Sequence, residues 1–397
     1  MFKSLKSVTY QVADVEQAKQ WYREILKTEP VFDSPFYVVF SVGDFGLALT
    51  PAANTTPEND ERGVAYWYVD DIEAAYQQLL EAGAAPHAEI HPVLNLRTAR
   101  VVDPFGNIVG LTGKISDQKT SVEDKPSESA MTVVFCRALA AREEREERRG
   151  PDYLAEIFLI EDSKRPLQDR VSREWVIKNM VTPKLYGYFM ARTAYLDGMF
   201  EQALRADTPQ IVFLGAGYDS RSYRFRDLIQ NTRIFELDAQ PTQQRKKELL
   251  HKAKISIPKQ LTFVSINFKT DPLEEVLSKA DFDPNQRTLF IWEGVTYYLP
   301  VEVVNNTLNS VKLSSPAGST ICFDYMTQAV PSTYTAEPFL FWIEPEKIEP
   351  FLAERGYSLE AHLTPEDIER KYLTLPDGSL AGKTLSFFCF VQACVAG

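Results

Sequence analysis

The sequence predicts two domains of different class. The first is an α+β domain of two βαβββ repeats, and the second is an α/β domain whose doubly wound, mostly parallel sheet follows a helical N-terminal cap. Three observations carry that expectation. Val12-Ala13-Asp14-Val15-Glu16-Gln17-Ala18 is echoed by Val69-Asp70-Asp71-Ile72-Glu73-Ala74-Ala75. A polar stretch, KISDQKTSVEDKPSES from Lys114 to Ser129, then interrupts the patterning. From Ile211 onward, short apolar runs alternate with helix-like segments, the signature of a parallel sheet.

Each copy of the repeat reads as a strand, an Asp-capped helix ending near Leu26 or Gly83, and further strands. Those strands are Tyr37 to Val42 and Leu47 to Thr50 in the first copy. In the second they are Thr98 to Val102 and Ile108 to Thr112, joined by a turn at Asp103-Pro104-Phe105-Gly106-Asn107. His87 and His91 read as a polar pair in a connecting loop. The domain boundaries are therefore 1–115, a linker at 116–129, and 130–397. The second domain opens with helical patterning from Ala130 and again from Trp175 to Leu204. Between them AREEREERRG, Ala141 to Gly150, reads as a solvated helix face with i,i+4 pairs.

VFLGAGYDSRSYRF, Val212 to Phe225, carries the chemistry. An apolar strand runs into Gly215-Ala216-Gly217, where glycine lets the backbone turn sharply against a bulky ligand. The next strand-like run, Ile234-Phe235-Glu236-Leu237-Asp238, ends in a carboxylate suited to ribose hydroxyls, so the pair implies a nucleoside cofactor. A dinucleotide fingerprint needs a third glycine and a helix N-terminus free for pyrophosphate, but here Tyr218, Asp219, Ser220 and Arg221 follow. Asp219 would repel a pyrophosphate. S-adenosylmethionine, a sulfonium without phosphate, suits this turn better than NAD.

Composition narrows the partners. Of 397 residues, 44% are hydrophobic and 25% charged, as in a soluble globular chain long enough for two cores. A net charge of −12 disfavours nucleic acid, and no apolar run reaches the length of a membrane span. Cys136, Cys322, Cys389 and Cys394 show neither disulfide-framework density nor CxxC spacing, which points to the cytoplasm.

Two resemblances follow from these motifs. The repeat, its Val-x-Asp corner, Trp21-Tyr22 and the DPFGN turn resemble the vicinal oxygen chelate superfamily of glyoxalases, extradiol dioxygenases and bleomycin-binding proteins. That resemblance puts the metal-ligand positions near Ser7, Ala48, Val64 and Gly110, where no side chain binds a divalent ion, so a metal-free domain for substrate binding or dimerisation is expected. The second domain resembles the leucine carboxyl methyltransferase family. Its landmarks are Ala191-Arg192-Thr193-Ala194-Tyr195-Leu196-Asp197, LGAGYDSRSYRF, Phe235-Glu236-Leu237-Asp238, Trp292-Glu293-Gly294-Val295-Thr296-Tyr297-Tyr298-Leu299, Ala336-Glu337-Pro338 and Arg355-Gly356-Tyr357.

This second resemblance implies a Rossmann-like class I methyltransferase with S-adenosyl-L-methionine as cofactor. Arg192 would clamp the methionine carboxylate, the alternative being a surface pair with Asp197. Gly215 and Gly217 would admit the methionyl portion, Asp238 would hold the ribose, and Asn267 would accept from the adenine amino group. Glu293 would meet the cofactor ammonium or the substrate rim. With Tyr297 it forms the candidate catalytic pair, Tyr297 and Tyr298 positioning an acceptor. A carboxylate acceptor needs no base at neutral pH, and His251 and His362 lie outside every motif, so an O-methyltransferase acting on a small molecule, with a homodimer as its assembly, is the leading expectation. The alternative is a ligand-sequestering protein with a degenerate methyltransferase domain.

Overall fold

The computed structural model describes residues 4–51, 63–93, 96–102, 108–114, 127–330 and 338–397. It divides into two compact units, Met1–Lys119 with Arg165–Met180, and Thr120–Lys164 with Val181–Gly397. The DPFGN turn, the linker through residue 126, and Ala336-Glu337 fall outside the described residues.

In the first unit each repeat folds as its pattern predicts. Strand β1 (Ser4–Val12) leads into the helix Val15–Leu26, then β2 (Phe32–Ser34), β3 (Tyr37–Val42) and β4 (Phe45–Pro51). The second copy runs β5 (Gly63–Tyr68), helix Ile72–Glu81, β6 (Ala85–Val93), β7 (Leu96–Val102) and β8 (Ile108–Lys114). Asp14 and Asp71 start both helices by accepting from the backbone N–H three residues on, Gln17 and Ala74. One eight-stranded sheet results, in the order β2-β3-β4-β1-β5-β8-β7-β6, with the repeats meeting where β1 pairs antiparallel to β5. Each helix packs on its own half: Val69, Ile72, Ala75, Ala99 and Leu111 form one cluster, and Val15, Val38, Phe40 and Leu49 the other.

His87 and His91 are not in a loop. Both lie on β6, where His91 is buried, its Nδ1 2.8 Å from the Glu89 carbonyl and its Nε2 3.1 Å from Thr98 Oγ1. The expected helix through Ala141–Gly150 also differs, because the helix Glu128–Ala141 stops there and an exposed 3-10 turn, Glu146–Arg148, follows. The pattern from Trp175 to Leu204 breaks in two. Helix Arg170–Val176 passes through a π-helical turn, Ile177–Val181, to Thr182 at φ 74, which caps the helix Pro183–Arg205. The first of these pieces clusters with the N-terminal unit, Trp175 meeting Phe32 and Phe36 edge-on at 5.5 and 5.6 Å.

The second unit holds β9 (Gln210–Leu214), β10 (Arg233–Asp238), β11 (Leu261–Ser265), β12 (Thr288–Trp292), β13 (Thr320–Met326), β14 (Tyr357–Leu363) and β15 (Phe388–Val395). Their order is β11-β10-β9-β12-β13-β15-β14, parallel except where β15 pairs antiparallel to β13 and β14. Every residue of β9 and β12 is buried, as expected for central strands covered on both faces. Chain order reverses between these two strands, and that is where the carboxyl ends of an open parallel sheet leave a crevice. Among the described residues no helix is long and apolar enough to cross a membrane.

Candidate functional site

A cavity of about 250 Å³ lies at that switch point. Because its walls come from segments following successive strands, sheet order gives it a direction. Ile266, Phe268 and Lys269 follow β11, Asp238 and Ala239 close β10, Gly215 to Asp219 follow β9, Glu293 to Leu299 follow β12, and Leu385, Phe387 and Phe388 sit at the start of β15. The helix Pro183–Arg205 adds Leu185, Tyr188, Phe189 and Arg192, and the helix Glu128–Ala141 adds Arg137.

The glycine turn has the predicted backbone. Gly215 and Gly217 adopt φ 80 and 49, and a Cβ on Gly215 would stand 2.5 Å from Val295 Cγ2, so this position excludes a side chain on two grounds. The Gly215 and Ala216 N–H groups both bond to the Leu237 carbonyl at 2.9 Å, tying the turn to the end of β10. There Asp238 accepts from the Gly217 and Ala239 N–H groups. Burial pushes its carboxyl up, and these two donors offset that only in part. Each oxygen keeps a lone pair for a ligand.

Arg192 is a buried hub. Its Nε donates to Glu293 at 3.0 Å, and its Nη1 donates to Asp324 at 2.9 Å and to the Tyr188 and Tyr297 hydroxyls at 3.2 Å. The alternative surface pair with Asp197 is not formed. Asp197 instead binds Arg221 at 2.8 Å and takes a two-pronged contact from Arg224 at 2.7 Å. Arg192 Nη2 donates to no described residue and remains for a ligand at the cavity wall.

Glu293 bridges two guanidiniums, accepting from Arg192 on one oxygen and from Arg221 on the other at 2.8 Å. Burial raises its carboxyl, but Arg221, Arg192 and Arg137 outweigh that and hold it down at about 2. Tyr297 lies in a 3-10 turn, Thr296–Tyr298. Burial first, and then Asp324, push its phenol well above the usual tyrosine range, so it stays protonated. Neither residue is a neutral-pH base. His362, half-buried, meets the Tyr325 hydroxyl at 2.8 Å, and neither it nor His251 lines the cavity.

Asn267 is the one predicted contact that the fold does not bring to the cavity. Its amide oxygen accepts from the Lys269 N–H at 3.0 Å within a local turn, while its neighbours Ile266 and Phe268 face inward. Asp219, expected to repel a pyrophosphate, is paired with Arg221, whose side chain and backbone N–H both donate to it.

Three participants escaped the motif reading. Asp324, on β13, accepts from Arg192, Tyr188 and the Gly294 N–H, which lies 2.7 Å away. Arg137 donates to the Tyr218 carbonyl at 2.9 Å and faces Asp152 at 3.4 Å. Arg221 is fully buried, the most enclosed arginine among the described residues. The available signal was a charge inside an apolar run, FCRALA for Arg137 and ICFDYM for Asp324, since such a charge is stable only when paired.

In the first unit, register puts the four resemblance positions together. Ser7 pairs with Tyr66, which pairs with Gly110, while Ala48 and Val64 both pair with Thr9. Positions 7 and 9 of a strand share a face. The surface is packed rather than open, since a Cβ on Gly110 would stand 2.7 Å from the Tyr66 ring. Among the described residues no group of three or more His, Cys, Asp or Glu side chains is placed to hold a metal ion.

Residues 130–312 match the family model of leucine carboxyl methyltransferases, and residues 4–111 that of the glyoxalase, bleomycin resistance protein and dioxygenase superfamily. YktD of Bacillus subtilis, provisionally named an S-adenosyl-L-methionine-dependent methyltransferase, is 29% identical over 211 residues, 49% of this chain and 67% of its own length. FRAAL3718 of Frankia alni, with the same provisional description, is 34% identical over 140 residues, 35% of this chain and 48% of its own. SCO7813 of Streptomyces coelicolor, likewise described, is 25% identical over 244 residues, 60% and 85% of the two chains. Over several such relatives the match spans only about half of their length.

Proposed function

We propose that this chain, whose residues 130–312 belong to the leucine carboxyl methyltransferase family and whose residues 4–111 belong to the glyoxalase and bleomycin resistance superfamily, binds S-adenosylmethionine and methylates an oxygen of a small-molecule acceptor. The observation that carries this reading is the composition of the crevice wall. A glycine turn that excludes a side chain and a strand-end carboxylate with spare lone pairs stand at neighbouring strand ends, and arginines with unspent donors face the cavity from two helices. When bound, S-adenosylmethionine supplies a methyl group on a positively charged sulfonium.

The residues present fit that group. Asp238 would accept from the ribose hydroxyls, and the Gly215–Gly217 backbone would admit the methionyl chain. Arg137 and Arg192 would meet its carboxylate. The buried ion network supports a cationic guest. Asp152, Asp197, Asp219, Glu293 and Asp324 outnumber Arg137, Arg192, Arg221 and Arg224 by one, and Asp238 adds a further carboxylate beside them. With no histidine among the described lining residues and the Tyr297 phenol held protonated, the site suits an acceptor that arrives already deprotonated, and a carboxylate is the simplest. The protein's part is then alignment and the exclusion of water.

For the N-terminal unit we propose a metal-free accessory role, binding substrate or pairing two copies of the chain. The free cysteines, Cys136, Cys322 and Cys389 buried and Cys394 partly so, support a reducing, cytoplasmic setting. The intact crevice weighs against a purely sequestering protein. Calorimetric titration with S-adenosylmethionine tests the reading directly. Binding to the wild-type chain that weakens at least about tenfold in Asp238→Ala is expected, since a hydrogen bond to a charged group is worth roughly 1.5–3 kcal/mol. No binding, or equal binding by the variant, overturns the reading. Mass spectrometry of candidate carboxylic and phenolic acids incubated with the chain and cofactor then identifies the acceptor.

A further inference from the structure

The β12–β15 end of the cavity differs in kind from the rest. Tyr297, Tyr298, Phe339 and Phe388 line it together, with ring centroids 4.7 Å apart for Tyr297–Tyr298, 5.7 Å for Tyr297–Phe339, 5.2 Å for Tyr297–Phe388 and 5.5 Å for Tyr298–Phe339. Of the charged lining residues that follow strands, Lys269, Asp238 and Asp219 belong to the β11–β9 side, and Glu293 opens the loop after β12 that carries Tyr297 and Tyr298. A wall of ring faces and edges, with the Arg192 guanidinium set against the Tyr297 hydroxyl, binds a flat, polarisable body and repays little for a flexible polar one.

One polar atom stands in this wall with a hydrogen-bond donor to spare. The Tyr297 hydroxyl accepts from Arg192 Nη1 and, among the described residues, donates to none. Tyr297 as a whole is buried, only 4% exposed, and lines the cavity. The contrast with Tyr188 is direct, since that hydroxyl accepts from the same guanidinium but spends its proton on Asp324. Accepting from a cation polarises the Tyr297 O–H bond, so its free proton is best satisfied by an anionic oxygen.

We propose that this end of the cavity is a binding site for a planar aromatic carboxylate, with the ring system held among Tyr297, Tyr298, Phe339 and Phe388 and one carboxylate oxygen accepting from the Tyr297 hydroxyl. This names the acceptor class for the methyl-transfer reading above and rests on it for its biological meaning. The binding itself stands on the chain's own residues. Tyr297 is a positioning residue here. Its proton stays in place, and its role is to orient the anion and raise the affinity for a carboxylate over a neutral isostere.

The test is calorimetric binding to the full chain with S-adenosylhomocysteine present and, separately, absent. The probes are 2-naphthoate, 2-naphthamide and decanoate. The wild-type chain is expected to prefer 2-naphthoate over both others. Tyr297→Phe keeps the ring and is expected to lose roughly tenfold to a hundredfold of the preference for naphthoate over naphthamide, as befits one hydrogen bond to a charged group. Phe339→Leu is expected to weaken both naphthyl probes equally and to leave decanoate unchanged. Decanoate binding as tightly as naphthoate, or a naphthoate preference that survives in Tyr297→Phe, overturns the proposal. If Tyr297→Phe does not fold, the wild-type ranking of the three probes and Phe339→Leu decide it. S-adenosylmethionine binding without naphthoate binding sinks this inference alone, whereas naphthoate binding without S-adenosylmethionine binding sinks the methyl-transfer reading.

Discussion

The two sheets of this chain treat their functional surfaces in opposite ways. In the N-terminal sheet, register gathers Ser7, Ala48, Val64 and Gly110 onto one face, where Ala48 and Val64 are buried and Tyr66 lies over Gly110. None of those four residues carries a charge, although the buried Arg100 pairs with Gly110 on the next strand. In the C-terminal sheet, the strand ends hold Asp238 and Glu293, and Asp324 stands two residues before the end of β13, all tied by hydrogen bonds to arginines or to backbone N–H groups of the glycine loops. A strand-centre position is enclosed by neighbours on both sides and tolerates apolar filling. A strand end opens onto loops that supply the donors a buried carboxylate requires. The difference teaches where this chain keeps its chemistry: in the sheet whose strand-end charges were retained and compensated.

If the ion network is what separates the two sheets, its loss should dominate any mutational comparison. Asp324→Ala leaves Arg192 short of one buried partner and frees the Gly294 N–H, and is expected to cost about 3–5 kcal/mol in chemical denaturation. A cost below about 1 kcal/mol would mean that the network is ornamental.

Acid titration probes the same network at Glu293. Its carboxyl is held at about 2 against an ordinary 4.5, so the folded state binds the proton more weakly than the unfolded chain does. The stability it contributes is complete above pH 4.5 and is lost as pH falls from there toward 2, roughly 3 kcal/mol in all. Glu293→Gln should flatten that window, and an unchanged acid limb in the variant would show that other carboxylates govern it.

The N-terminal unit should respond far less. Lys19 bonds Glu16 at 2.5 Å and Asp33 at 3.2 Å, yet both carboxylates are solvent-exposed, so Lys19→Ala is expected to cost under about 1 kcal/mol in the same denaturation assay. The smallest effect of all is expected from chelation. Treatment with EDTA should leave the melting temperature unchanged and elemental analysis should find no stoichiometric divalent ion, whereas one ion per chain would return chemistry to the first sheet.

Much of the fold was legible because its signals are local. The two Val-x-Asp corners announce capped helices, since an aspartate three residues before a free N–H caps it wherever the rest of the chain goes. The glycine turn was legible for the same reason, since φ values of 80 and 49 belong to glycine itself. Arg192, Asp238 and Glu293 could be named from motif spacing, but their partners could not. Arg192 and Asp324 stand 132 residues apart in sequence and meet only because the helix Pro183–Arg205 packs against β13. Asn267 shows the opposite failure. It stands one position from two lining residues, and a local turn with Lys269 claims its amide oxygen, which no spacing argument reveals.

The sequence by itself determined the division into two sheets, the repeat in the first, the nucleoside-type turn in the second and the absence of ligating side chains at four strand positions. Each rests on periodicity, backbone preference or side-chain identity, which are properties of short segments. Only the tertiary structure decided that Asp219 is neutralised, that Arg192 is a shared hub rather than a free clamp, and that the Tyr297 hydroxyl keeps a donor to spare. Burial and hydrogen-bond partnership set those outcomes, and both depend on residues that sheet order, not chain order, brings together.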